Sequence, residues 1–295
     1  MTAKIIDGVA IAKSIRAQCR LDVTELHRRT GVSPGLAVIL VGNDPASVIY
    51  VRNKIRACQE VGITSFKFEF PQDVDPRTVL EKIAALNRDP KVHGILVQLP
   101  LPRQFDMAAV LRAIDRTKDV DGFHLYNVGG LVTGNAVYPP CTPYGVMKML
   151  EYEGIRLEGK NVVVVGASNI VGKPMAAILI QKSKQANATV TVCHSQTRDI
   201  AAHCRRADIL IAALGSPEFV KANMVKPGAV VIDVGVNRIP DSTAKNGSRL
   251  VGDVDFANVQ PIAGKITPNP GGVGPMTIAI LMQNTVRAAE MACGQ

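Results

Sequence analysis

Tyr50 and Lys54 stand four residues apart in a segment whose apolar residues Val48, Val51, Ile55 and Cys58 recur at helical spacing. Both side chains therefore fall on one helix face and can address one site. Ahead of them, Asn43-Asp44-Pro45-Ala46-Ser47 reads as a turn and helix cap. That cap places the helix start near the carboxyl ends of parallel strands, where open α/β sheets bind ligands. Gln98 interrupts the apolar run Ile95 to Leu99, and an amide there must find hydrogen bonds in a ligand or in its neighbours. Asp119 and Asp121, in Lys118-Asp-Val-Asp-Gly122, sit where the chain leaves its first domain. Each residue has an ordinary alternative: Lys54 solvated, Tyr50 in the core, Gln98 bonded to backbone, Asp121 capping a turn. Cys141, in Pro139-Pro-Cys-Thr-Pro143, has no evident base beside it and reads as a buried turn residue rather than a nucleophile.

A second chemical signal follows Val162 to Val165, an apolar strand that runs into Gly166-Ala-Ser-Asn-Ile-Val-Gly172-Lys173-Pro174 and then an apolar helix. A helix N-terminus in that setting can cradle a phosphate. A P-loop has four residues between its glycines and Ser or Thr after the Lys, whereas this turn has five and then Pro174. The dinucleotide fingerprint is also imperfect, with Ser168 and Val171 at its second and third glycines. A plain strand-to-helix turn remains the alternative, with Pro174 harmless in the first helical turn. The following strand ends in Cys193-His194-Ser195-Gln196-Thr197-Arg198. NAD-binding folds usually place a carboxylate there, so a hydroxyl and a cation suit a 2'-phosphate and hence NADP. Arg198 reads equally as a solvated residue at a helix start.

Alternating strand and helix signals position these residues. Apolar, β-branched runs occur at Leu36 to Val41, Gly94 to Leu99, Asn161 to Val165, Thr189 to Cys193, Asp208 to Ala213 and Ala229 to Val234. Helix-period segments, such as Ser47 to Val61 and Asp106 to Ile114, lie between them, which implies parallel sheets. Thr64 to Phe70 alternates Phe66, Phe68 and Phe70 with polar residues and suits an outer strand. Asp119 to Pro143 is rich in Gly, Pro and Asn, lacks a sustained period, and reads as a link between two domains. Thr267 to Pro275 is a second irregular stretch, followed by an apolar helix through Ile278, Leu281 and Met282 that could pack back on the first domain. Ser242 to Ser248 reads as an exposed loop tip.

The 295 residues, 47% hydrophobic and 20% charged, suit a globular protein of about two domains. No apolar run approaches the roughly 20 residues that span a bilayer, and the first residues lack a signal-peptide pattern. A cytoplasmic protein without membrane contact is expected. The six cysteines show neither C-x-x-C nor zinc spacing, and no metal site is expected. The net charge of +9 is scattered and not interleaved with aromatics, which favours a small polyanion over nucleic acid.

Six motifs taken in order resemble the bifunctional methylenetetrahydrofolate dehydrogenase/cyclohydrolase family. They are Gly42-x-x-Pro45-Ala-Ser-x-x-Tyr50-Val-x-x-Lys54, Gly94-Ile-Leu-Val-Gln98-Leu-Pro-Leu-Pro102, Lys118-Asp-Val-Asp-Gly-Phe-His124, Pro140-Cys-Thr-Pro143, Gly166-x-Ser-x-Ile-Val-Gly-Lys-Pro174 and Pro270-Gly-Gly-Val-Gly-Pro-Met-Thr277. The resemblance spans nearly the whole chain. It implies an α/β folate-binding catalytic domain of residues 1–141 plus 273–295 and a Rossmann-type NADP-binding domain with a parallel sheet over 142–272, the C-terminal helix packing back on the first domain. It implies oxidation of 5,10-methylenetetrahydrofolate by NADP, then hydrolysis of the methenyl product to 10-formyltetrahydrofolate, both in one cleft.

By the same resemblance Lys54 serves the hydrolytic step with Gln98 beside it, Tyr50 stacks on the substrate's benzoyl ring, and Asp121 binds the pterin. A lysine whose pKa is lowered by its site can take a proton from water, and a carboxylate can accept two pterin donors. Substrate contacts are implied at Val97, Pro100, Gly271, Gly272 and Pro275. Cofactor contacts are implied at Gly166, Ala167, Ser168, Ile170 and Val171, and further along at Ser195, Arg198, Val236 and Thr277. The chain departs from the family pattern at Ala167, where many members carry Arg, and at Asn269, where an apolar residue is commoner. A homodimer is the family's usual assembly. The rival reading is another two-domain NADP dehydrogenase, such as a shikimate dehydrogenase-like enzyme, which would lack Pro270-Gly-Gly-Val-Gly-Pro275.

Overall fold

The structure, a computed structural model, describes residues 2–243 and 247–294. In chain order its first half holds β1 (Lys4–Ile5), α1 (Gly8–Thr30), β2 (Gly35–Val41), α2 (Pro45–Val61), β3 (Thr64–Phe70), α3 (Pro76–Arg88), β4 (Gly94–Val97), α4 (Met107–Ala113) and α5 (Leu125–Thr133). The second half holds α6 (Cys141–Tyr152), β5 (Asn161–Val165), α7 (Gly172–Leu179), β6 (Thr189–Cys193), α8 (Ile200–Arg205), β7 (Ile209–Ala212), β8 (Val230–Asp233), β9 (Asn237–Pro240), β10 (Ser248–Val251), α9 (Phe256–Val259), β11 (Lys265–Ile266) and α10 (Val273–Ala292). The chain is α/β and forms two compact units, one of residues 12–141 and 278–294, the other of 2–11 and 142–277.

The first unit is built on a parallel sheet in the order β3-β2-β4. All seven residues of β2 are buried, as expected for the central strand of a parallel sheet covered on both faces. Ala37, Ile39, Ile95 and Val97 join Val79 and Ile83 of α3 and Val110 of α4 in one core. β3 is one of the two edge strands, with Phe66, Phe68 and Phe70 packed on that core. The end of α10 belongs to this unit and is tied to it by Asn284, whose Nδ2 donates to Val120 O at 2.8 Å.

The second unit carries a fully parallel sheet in the order β1-β11-β8-β7-β5-β6, together with the antiparallel pair β9 and β10. Residues 2–11 group here because β1 pairs with β11. A two-residue strand leaves no pattern in the sequence that could announce this. The boundary between the two units falls within the continuous α10, after Thr277.

Two irregular stretches prove partly helical. Asp119 to Pro143 contains α5, which His124 caps by accepting from Tyr126 N and which ends at left-handed Gly134. Gly129 and Gly130 hide its period; a Cβ at Gly130 would lie 2.8 Å from Ala136 Cα, so the close return of the chain excludes a side chain there. α10 likewise begins at Val273, with Gly274 and Pro275 in its first turn, where a missing N–H costs little. Of the Ser242 to Ser248 tip, Ser242, Thr243 and Gly247 are exposed, and 244–246 lie outside the described residues.

Candidate functional site

In the first unit, α2 starts at Pro45 under a cap in which Asp44 Oδ2 accepts from Ser47 N at 2.8 Å. The helix carries Tyr50, half-buried, and Lys54, which is buried with only 7% of its surface exposed. Lys54 Nζ donates to Gln98 Oε1 at 3.0 Å, while Gln98 Nε2 donates to Leu99 O at 2.6 Å. The second bond fixes the amide: its nitrogen is committed to a carbonyl, so its oxygen faces the lysine. Gln98 N also donates to Ile39 O, which anchors the residue one step beyond β4. Val97, the last residue of that strand, is packed in the core, and Pro100 is exposed.

Two aspartates with similar sequence surroundings do different work. Asp119 is fully buried and accepts from Phe123 N, His124 N and Asn127 Nδ2, so the turn-capping duty is its own. Burial raises it to about 6 against those donors. Asp121 is left to interact with Lys54 and with the Cys141 thiol. Burial pushes Lys54 below the usual lysine range, opposed by the Asp121 carboxylate, and pushes Asp121 up, opposed by Lys54. Both are driven towards their uncharged forms because losing water costs each charge more than the partner returns. Cys141 opens α6 with its thiol 3.4 Å from Val120 O, and burial raises its pKa well above the ordinary value. It is an unreactive thiol that packs beside Asp121.

In the second unit, the residues from Gly166 to Val236 follow the carboxyl ends of β5, β6 and β8, strands of one parallel sheet, while Gly271 to Thr277 follow β11. At Gly166 (φ 124°) a Cβ would lie 2.0 Å from Ala213 O, and at Gly172 one would lie 2.0 Å from Gly166 O. The turn between β5 and α7 therefore tolerates only glycine at both places. Ala167, Ile170 and Val171 are half-buried along it. Ser168 is exposed, and its Oγ accepts from Val171 N at 3.1 Å and Gly172 N at 3.4 Å, occupying two amides that the bare helix end would offer to a phosphate.

After β6, the turn is closed by His194 N donating to Thr197 Oγ1 at 2.9 Å, with Ser195 and Arg198 exposed on it. The neighbouring carboxylate, Asp199, is spent on capping α8 through Ala202 N. Val236 follows β8 and is 46% exposed. Thr277 Oγ1 lies 2.9 Å from Thr142 Oγ1. Gly271 has a positive φ, and a Cβ at Gly272 would meet Pro268 O at 2.5 Å. Pro275 sits in the first turn of α10.

Sequence reasoning overlooked a pair of buried acids. Asp233, the last residue of β8, accepts from Gly235 N, Asp253 N and Val254 N, and burial raises it to about 7. Asp253 accepts from Leu214 N, Gly215 N and Ser216 N and from Asn237 Nδ2. The one available signal was Gly252 ahead of Asp253, where a Cβ would collide with the Asp233 carboxylate.

Comparison with known proteins gives matches over both halves of the chain. The family model described as tetrahydrofolate dehydrogenase/cyclohydrolase, catalytic domain, matches residues 6–121, and that of the NAD(P)-binding domain matches residues 140–293. The bifunctional protein FolD of Azoarcus sp. is 59% identical over 290 residues, covering 98% of this chain and 97% of the relative. That of Dechloromonas aromatica is 58% identical over the full length of both chains. The crystal structure of the Trypanosoma brucei methylenetetrahydrofolate dehydrogenase-cyclohydrolase, complexed with NADP and an inhibitor, superposes with a TM-score of 0.95 at 39% identity over the full length of both chains. A shikimate dehydrogenase of Thermus thermophilus reaches a TM-score of 0.51 at 16% identity over 87% of this chain, a likeness of fold alone. Both family models and the full-length relatives agree: the chain belongs to the tetrahydrofolate dehydrogenase/cyclohydrolase family.

Proposed function

We propose that the chain oxidises 5,10-methylenetetrahydrofolate with NADP+ and hydrolyses the methenyl product to 10-formyltetrahydrofolate. The observation that carries this reading is the buried Lys54 amine held at 3.0 Å by Gln98 next to Asp121. The folate-binding domain is read as 1–141 plus 273–295 and the cofactor domain as 142–272. The side-chain-free approach at Gly166 and Gly172 and the exposed Arg198 fit a dinucleotide with a 2'-phosphate. When bound, NADP+ supplies the acceptor for hydride from the one-carbon bridge.

In the hydrolytic step, water adds to the methenyl carbon and loses a proton, which the Lys54 amine accepts in its deprotonated form. The bond from that carbon to N5 then breaks, N5 takes up a proton, and the one-carbon unit remains on N10 as the formyl group. Gln98 orients that amine without adding a charge that would restore its basicity to the ordinary range. Asp121 accepts from the pterin's aminopyrimidine edge, and Tyr50 stacks on the benzoyl ring. Ser195 and Arg198 hold the 2'-phosphate. Incubation of the purified chain with methylenetetrahydrofolate and either NADP+ or NAD+, followed by absorbance, tests the reading. NADP+ reduction with passage through the methenyl species is expected; no reduction with either cofactor contradicts it. A cytoplasmic homodimer accords with the family's usual pattern, and light scattering of the purified chain tests the assembly.

Two variants separate the binding roles. Asp121→Ala is expected to weaken folate binding about 10- to 100-fold, the loss of hydrogen bonds to a charged acceptor, and to depress both activities while NADP binding survives. Unaltered folate affinity of the folded variant removes Asp121 from the pterin site. Arg198→Ala is expected to lower the ratio of NADP+ to NAD+ efficiency about tenfold, since an exposed charge-assisted contact sits at the low end of its range. An unchanged ratio removes Arg198 from the phosphate site.

A further inference from the structure

Val236 is an exposed aliphatic residue in a segment held with unusual thoroughness. Gly235 N donates to Asp233 Oδ1 at 3.1 Å, and Gly235 O accepts from Asn269 Nδ2. Asn237 Nδ2 donates to Asp253 Oδ1 at 2.8 Å. Asp253 also binds three successive amides, Leu214, Gly215 and Ser216, at 2.6 to 2.9 Å, so it joins the segment after β8 to the one after β7. The Asp253 carboxylate approaches so closely that a Cβ at Gly235 would lie 2.2 Å from it. A buried carboxylate satisfied by N–H donors alone imposes geometry on its donors, because each lost bond leaves an unpaired charge in a low dielectric.

This apparatus keeps a small apolar side chain facing outward at the carboxyl edge of a parallel sheet, where dinucleotides bind. We propose that Asp253, Asn237 and Asn269 are positioning residues for the nicotinamide cofactor, acting through the segment 235–237 that presents Val236. The inference rests on the reading of this unit as the NADP site and adds the residues that set its geometry. Asn269 carries the most specific part of it, because a side chain from the Thr267-to-Gly272 loop supplies the one side-chain bond to the Gly235 carbonyl among the described residues.

Asn269→Val and Asn237→Ala each remove one donor and leave both buried acids in place. NADPH fluorescence titration of the intact chain is expected to show about three- to tenfold weaker binding in each variant, the net value of one hydrogen bond. KM for NADP+ should rise in parallel while KM for methylenetetrahydrofolate stays within about twofold. A purely structural role would instead lower the melting temperature and move both KM values together, and that result overturns the inference. So does unchanged NADPH affinity in the two folded variants. If Asn269→Val fails to fold, Asn237→Ala decides alone. A wild-type chain that binds no NADPH overturns the reading of the site itself, and the variants are not needed to see it.

Discussion

Replacing Lys54 with Met is expected to lower hydrolysis of methenyltetrahydrofolate by about 10²- to 10⁴-fold, the usual worth of a general base, with binding of NADP and folate retained. Methionine matches the length of the lysine stem and fills the buried position on α2 without an amine. Gln98 loses one partner but keeps its bond to Leu99 O. Hydride departure needs no base, so the dehydrogenase step is expected to fall less. Separate assays of the two reactions check this. Near-normal cyclohydrolase turnover in the folded variant moves the base elsewhere.

Gly166→Ala is the second large effect, for steric rather than chemical reasons. Its φ of 124° costs an alanine about 1–3 kcal/mol, and the new Cβ would sit 2.0 Å from Ala213 O. The turn between β5 and α7 must shift to relieve the contact. NADP affinity is expected to fall at least about tenfold, with a lower melting temperature. Hydrolysis of methenyltetrahydrofolate, which the proposal assigns to Lys54 and Gln98 of the other unit, should persist. Wild-type NADPH binding in this variant would show that the turn does not contact the cofactor.

The parts of the molecule that were legible from sequence are those in which a local pattern meets a physical demand. Buried parallel strands such as Asn161–Val165 must be continuous apolar runs, and a polar Gln98 at the end of such a run must have a partner. The spacing of Tyr50 and Lys54 placed both on α2. Other features depend on contacts across long separations and leave no local trace. Asp233 and Asp253 lie 20 residues apart, and apart from Asn237 Nδ2 the donors named for them above are backbone amides whose positions only the folded sheet defines. The division of labour between Asp119 and Asp121 is equally invisible, because the two stand two residues apart in one turn and differ in which partners the turn brings to each. β1 joins a distant sheet through two residues, and α5 was masked by its glycines.

The central claim is that burial, with Asp121 opposing, leaves the Lys54 amine basic enough to take a proton yet uncharged more often than a surface lysine. Isotope-labelled lysine side chains, titrated by NMR in the wild type and assigned with the Lys54→Met variant, measure this directly. Lys54 is expected to titrate below the ordinary 10.5, and cyclohydrolase activity should rise with pH through the same midpoint, since deprotonation creates the base. A Lys54 signal that titrates with the surface lysines would contradict the account.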